Sequence, residues 1–336
     1  MINPFEADSF SMMSLSVSME VLPNKYDRLD QLALFEDKPV RTRDIAVESM
    51  NGVLCMLPSL PVGAPGTKAS HAKRVVRSFR VPHIPHDDVI SPAEYEGLRA
   101  HGSETELQAL ENLVSRKLQA MKDKHDQTLE WLRMGALKGI IVDGDGSTVL
   151  YNLYTEFGIS AKTVDFVLGT GTTDVKGKVR EVVRHIEDNA KGASFRGINC
   201  DCSPEFFDAF TDHAEVKEVF LGHAEASQRY GEDNRRGFRF GGVTFAEYRG
   251  SADDADGNNH KFITAKDAHF YPVGGLDTFH TAFAPGNFIE TVNTMGQRLY
   301  AKLVPRPKGD GVDLYTESNP LPMCTRPGML VRGYTA

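Results

Sequence analysis

Two aspartates two positions apart, Asp143 and Asp145, end an apolar run in Ile140-Ile141-Val142-Asp143-Gly144-Asp145-Gly146-Ser147-Thr148-Val149. A strand that delivers paired carboxylates into a loop could open a calcium site or the metal site of a phosphatase. The EF-hand pattern needs glycine at the sixth loop position and glutamate at the twelfth. Counted from Asp143, those positions hold Thr148 and Tyr154, so the calcium pattern fails. Asp143, Asp145 and Ser147 come near the Asp-x-Asp start of a metal-dependent phosphatase. That chemistry needs a parallel βαβ array behind the strand, whereas here a long helix precedes it and a second strand follows. Gly144, Asp145 and Gly146 are residues that supply positive φ in a hairpin turn. The stretch reads as a hairpin.

Three further clusters invite chemistry. The segment "DFVLGTGTTDVKGKVREVVRHI" imitates a strand, a phosphate loop and a helix. A P-loop requires Gly-x-x-x-x-Gly-Lys and then Ser or Thr; here five residues separate Gly171 from Gly177, and Val179 follows Lys178. A dinucleotide fingerprint would want glycine where Asp174 sits. The segment therefore reads as a Gly/Thr loop before a capped helix. His83, His86, Asp87 and Asp88 in "HIPHDD" could ligate a metal, yet the prolines there favour a polar turn between elements. Cys200-Asp201-Cys202 has no second Cys/His pair at zinc spacing. Alternation along a strand puts both thiols on one face, in the core. No Ser/His/Asp or Cys/His constellation has local context, so no catalytic, cofactor-binding or metal-binding residue is assigned.

The elements around these residues are those of a folded protein of 336 residues, 40% hydrophobic and 25% charged, with ample core. The four cysteines (Cys55, Cys200, Cys202, Cys324) suit free thiols. No apolar run approaches the roughly 18 residues of a membrane span, and the N-terminus lacks the basic and apolar regions of a signal peptide. A net charge of −8 argues against a general nucleic-acid binder, although Lys68, His71, Lys73, Arg74, Arg77 and Arg80 form a basic run. Residues 1–42 show little periodicity and read as an extended arm. Two β-like runs, 43–57 and 72–84, flank a Pro/Gly-rich tip and make a two-stranded arm that needs a surface to lie on. Ser103 and Glu106 form a capping box for a helix over 103–137. Its apolar positions are Leu107, Leu110, Val114, Leu118, Met121, Leu129 and Leu132, with charges on the other face. About 33 residues at 1.5 Å each make a rod of roughly 50 Å. Beyond it, helices and strands mix without strict alternation, as in an α+β fold. One helix starts near Thr173 and another at Ser203-Pro204, and one strand covers "FRFGGVTFAEYRG".

An arm, a hairpin arm, one long helix and then an α+β region is a plan suited to contacts with neighbours. The closing segment 284–336 carries Phe288-Ile289-Glu290-Thr291-Val292-Asn293-Thr294, Tyr300-Ala301-Lys302 and Ser318-Asn319-Pro320-Leu321-Pro322. With "VPHIPHDDVISPAEYEGLRAHG" before the long helix, it resembles the lambda-like capsid protein E family of tailed bacteriophages. The resemblance covers most of the chain. It implies the tailed-phage capsid fold: an N-terminal arm (1–42), an extended loop (43–86), a peripheral domain (87–156, spine helix 103–137, completed by strands 298–324) and an axial domain (157–297, completed by 325–336). It also implies self-assembly, in the host cytoplasm, into hexamers and pentamers of an icosahedral virion shell around double-stranded DNA, without sequence-specific binding. Expected partners are a scaffolding protein, the portal protein and a decoration protein, with no covalent cross-link, membrane or enzymatic activity. An encapsulin-like nanocompartment shell and a phosphatase using Asp143 and Asp145 are the other readings.

Overall fold

The computed structural model describes residues 11–21, 28–50, 74–94, 106–191, 194–230, 235–275 and 277–336. The capping-box residue Ser103, the arm tip, Cys55, Lys68, His71 and Lys73 lie outside them. The chain divides into two compact units.

The first unit comprises residues 1–45, 78–130 and 280–322. Its main sheet is antiparallel, in the order Tyr300–Pro305, Val312–Ser318, Ile84–Ile90. The histidine–aspartate stretch is therefore a strand and not a turn. The reason is its place at the sheet edge, the position at which a strand tolerates a proline such as Pro85. On this sheet lies the helix Glu106–Lys138, which contributes Val114, Leu118 and Met121 to a core with Ile90, Leu299, Ala301 and Leu314. Leu15 and Met19 fill the same core from a second helix, Met12–Val21.

That helix shows residues 12–21 of the expected arm to be helical and packed, not extended. Its sequence, MMSLSVSMEV, alternates apolar and polar residues from Met13 to Val21, which is the period of a strand and hides the helix; packing of Leu15 and Met19 into the core decides its conformation. The long helix also departs from expectation, because its charged face is not left in water. Lys122, His125, Asp126 and Glu130 are all buried. Lys122 Nζ donates to Met19 O at 2.5 Å, placing a cation at the C-terminal end of the helix Met12–Val21. Glu130 Oε1 accepts from Leu29 N at 3.2 Å. Arg298 bridges Asp30, at 2.7 Å, and Asp126, at 3.4 Å. Buried charges are tolerable only when paired in this way.

The second unit comprises residues 46–77, 131–279 and 323–336. Six strands run in the order Lys162–Asp165, Val331–Tyr334, Asp267–Val273, Gly197–Cys202, Val243–Glu247, Arg236–Phe240, two of the pairings parallel and three antiparallel. The helix Val175–Ala190 buries Val175, Val179, Val182 and Ile186 in the same core as Phe166, Phe245 and Phe270. Phe210 stacks on Phe245 with centroids 4.3 Å apart. "FRFGGVTFAEYRG" is two strands, not one. Phe240 pairs with Val243, and Gly241 and Gly242 between them have φ of +59° and +90°, as a two-residue hairpin turn demands. Ser203 caps the helix Pro204–Asp212 as expected, accepting from Phe206 N. The chain then bends at His213 before Ala214–Tyr230. The paired strands Asp44–Met50 and Arg74–Arg80 form the hairpin arm, with no third strand among the described residues.

The last turns of the long helix, residues 131–138, pack against the hairpin Ile140–Val142 and Val149–Asn152. A Cβ at Gly135 would stand 3.0 Å from both Ile140 O and Ile141 Cα. Alanine there gains up to about 1 kcal/mol of helix propensity, but parting helix and strand costs about 1–3 kcal/mol. Gly135→Ala is thus expected to lower the unfolding temperature; an unchanged or raised value in a thermal melt would show that the hairpin yields.

Candidate functional site

The chemistry-bearing residues of the sequence are put to structural use. Asp145 accepts from Ser147 N at 2.9 Å, Thr148 N at 2.8 Å and Thr148 Oγ1. These bonds hold its carboxyl down to about 2. Asp143 accepts from Gly144 N, while its backbone oxygen and that of Val142 receive the Trp131 indole N–H, each at 2.9 Å. The stretch is a hairpin, as read, although only Gly146 of its turn residues has positive φ. Asp174 Oδ1 takes Gly177 N at 2.6 Å, so a carboxylate already sits at the helix N-terminus where a phosphate would bind. Cys200 and Cys202 lie in the core with their sulfurs 3.5 Å apart. Burial pushes the Cys200 thiol well up, which leaves it unreactive.

Strand alternation separates Asp87 from His86 and Asp88. Asp88 pairs with Lys117 at 3.1 Å, and His86 Nε2 lies 3.1 Å from Lys124 Nζ. His83 is at a different centre, built on Glu317, which sequence reasoning missed.

Glu317 is 4% exposed. Both carboxylate oxygens accept from Asn287 N, at 2.9 and 3.0 Å. Oε1 also takes Asn319 Nδ2 at 2.7 Å and faces Arg43 Nη2 at 3.5 Å and His83 Nδ1 at 3.0 Å. Because an ionised carboxylate only accepts, His83 carries its proton on Nδ1, which also lies 3.0 Å from Asn319 Oδ1. Asn319 Nδ2 further reaches Pro285 O. Arg43 directly precedes the strand Asp44–Met50, and His83 follows Arg74–Arg80 by three positions. One buried carboxylate thus gathers the segments on either side of the arm and the loop that begins at Asn287. No signal in the sequence marks it: strand alternation would expose one of Thr316, Glu317 and Ser318, whereas the structure buries all three.

Beside this junction His125 spans two hydroxyls, with Nδ1 2.9 Å from Ser318 Oγ and Nε2 3.0 Å from Thr316 Oγ1. Burial, followed by the charges of His86 and Lys124, drives its imidazole down to about 3.

The sequence profile described as "Phage major capsid protein E" matches residues 11–335. The chain is 31% identical over 352 residues to the major capsid protein of Pseudomonas phage KPP10, covering 99% of each. It is 28% identical over 360 residues to that of Salmonella phage Felix O1, covering 98% of each. The capsid of Myoviridae phage XM1 contains a chain of the same fold, with TM-score 0.53, 7% identity and 95% of each chain covered.

Two outcomes follow from the geometry. Glu317→Ala leaves the buried Asn319 amide and the partly buried Asn287 N, Arg43 and His83 without their acceptor and is expected to cost about 1–3 kcal/mol, read as a lower midpoint in urea; a loss under about 0.5 kcal/mol would show that water replaces the carboxylate. The pH effect has a definite sign. The His125 pKa is depressed on folding, so the unfolded chain takes up the proton first. Stability is full above about pH 6.5 and falls below it, by up to about 1.4 kcal/mol per pH unit for this one group. His125→Gln should flatten the profile between about pH 6.5 and 5.5; an unchanged slope would assign the effect elsewhere.

Proposed function

The chain belongs to the phage major capsid protein E family, and on that premise we propose that its copies associate into hexamers and pentamers that close as an icosahedral head shell around double-stranded DNA. It is a structural virion component, a major capsid protein and not an enzyme. The observation that carries the reading is the family match along nearly the whole chain, residues 11–335. Membership sets aside the nanocompartment and phosphatase readings.

In this proposal the long helix is the spine of a peripheral domain that spans 87–156 and is completed by the strands of 298–324. Residues 157–297 with 325–336, built on the six-stranded sheet, form an axial domain at the capsomer centres. The hairpin arm leaves the Glu317 junction and lies across a neighbouring subunit. Supporting this is a physical argument: a lone two-stranded ribbon is marginal in water and gains stability from a surface beneath it. Arg77 already lies over Phe157, 5.1 Å from the ring centroid, so this cation of the arm has a protein contact. A net charge of −8 suits a container whose contents must slide. Scaffolding, portal and decoration proteins are the proposed partners, and no covalent cross-link between subunits is invoked.

Negative-stain electron microscopy of the protein, produced with and without its scaffolding partner, tests the reading. Closed shells of uniform size, or free hexamers and pentamers, are expected, and Asp143→Asn should leave them unchanged. A monomer under both conditions would overturn it.

A further inference from the structure

The loop between Pro285 and Arg298 presents apolar side chains to water while being held in one conformation. Ile289 is 92% exposed, Val292 64% and Met295 46%. Ile289–Thr291 is a single 3-10 turn, in which residues three apart share a side, so Ile289 and Val292 stand together. Beneath them the loop is tied down from within. Thr291 is buried, its Oγ1 2.7 Å from Gly286 O. Thr294 Oγ1 donates to Thr291 O at 2.8 Å, and Gln297 N donates to Tyr300 Oη at 2.8 Å. Gly296 N reaches Val40 O at 2.9 Å, and a Cβ there would lie 2.0 Å from Phe283 O. Asn293 accepts a φ of +61°. A polar rim accompanies the apolar tip: Lys302 pairs with Glu290 and lies 5.5 Å from the Phe288 ring centroid.

An ordered apolar tip with a charged rim has the core-and-rim anatomy of an interface, and its loop has little ordering entropy left to lose on binding. Its position identifies the occupant. Glu317, which gathers Arg43 and His83 on either side of the arm, also holds Asn287 N at the start of this loop. At the other end, Arg41 Nε lies 3.4 Å from Met295 Sδ. The base of the arm and the knob therefore share one junction, which on the shell reading above puts both at the surface turned toward a second copy. Resting on the shell reading above, we propose that Ile289 and Val292 form a preorganised contact that docks onto a second copy of this chain and is needed for shell closure.

The test produces the protein with its scaffolding partner and compares wild type with the double variant Ile289→Asp, Val292→Asp. Shell yield is expected to fall about tenfold or more, while the thermal unfolding of the unassembled subunit stays at the wild-type temperature. Equal shell yields would overturn the inference alone, whereas wild-type protein that forms no shells removes the shell reading and the inference with it. If the variant unfolds, a photo-crosslinking benzoylphenylalanine at position 289 in assembled shells gives the answer. A covalent dimer of this chain on a denaturing gel is expected; monomer only, or an adduct with the scaffolding protein alone, would overturn the assignment to a second copy.

Discussion

A carboxylate taken out of water must be surrounded by donors, and in this chain that demand falls on Glu317. Removing the ion from solvent costs several kcal/mol unless hydrogen bonds replace its hydration. Here the replacements come from four places far apart in sequence: Arg43, His83, Asn287 and Asn319. Satisfying one side chain therefore fixes where the arm departs, where the exposed loop begins and how the strand Val312–Ser318 ends. The fixed points matter because the arm has no third strand to steady it among the described residues.

The two units are held by different physics. In the second, the six-stranded sheet carries a nearly all-apolar core rich in phenylalanine. In the first, the apolar cluster is small and a seam of buried charge runs beside it, joining Lys122, Asp126, Glu130 and Arg298 to the N-terminal helices. Apolar packing is tolerant of small shifts, while a charged seam depends on the geometry of its pairings, and here Asp126 Oδ2 and Arg298 Nε are buried without a hydrogen-bond partner among the described residues. The first unit is thus the one whose conformation depends most sharply on each of its polar side chains.

What the sequence disclosed follows from which signals are local. The hairpin at Asp143, the cap at Ser203 and the long helix are written in turn residues and periodicity, and they were legible. The two thiols at 200 and 202 were correctly placed in the core by alternation alone. The helix Met12–Val21 was not legible, because its apolar and polar residues alternate with the period of a strand and not of a helix. The strand Ile84–Ile90 was concealed by prolines that only an edge position permits. Glu317 was the deepest omission. A lone glutamate near a strand end reads as surface until its distant donors, Arg43, His83 and Asn287, are seen together with Asn319 beside it.

The helix Met12–Val21 changes what can be done to the N-terminus. Leu15 and Met19 sit in the same core as Ile90, Leu118 and Leu314, and the Ser16 hydroxyl accepts the Ala301 backbone N–H at 3.1 Å. A maturation protease that cut after Val21 would strip those side chains away and leave the Lys122 ammonium without the carbonyl it faces. Any trimming compatible with an intact subunit must stop ahead of Met12. The segment is built as a founding part of the domain, and a detachable leader cannot include it.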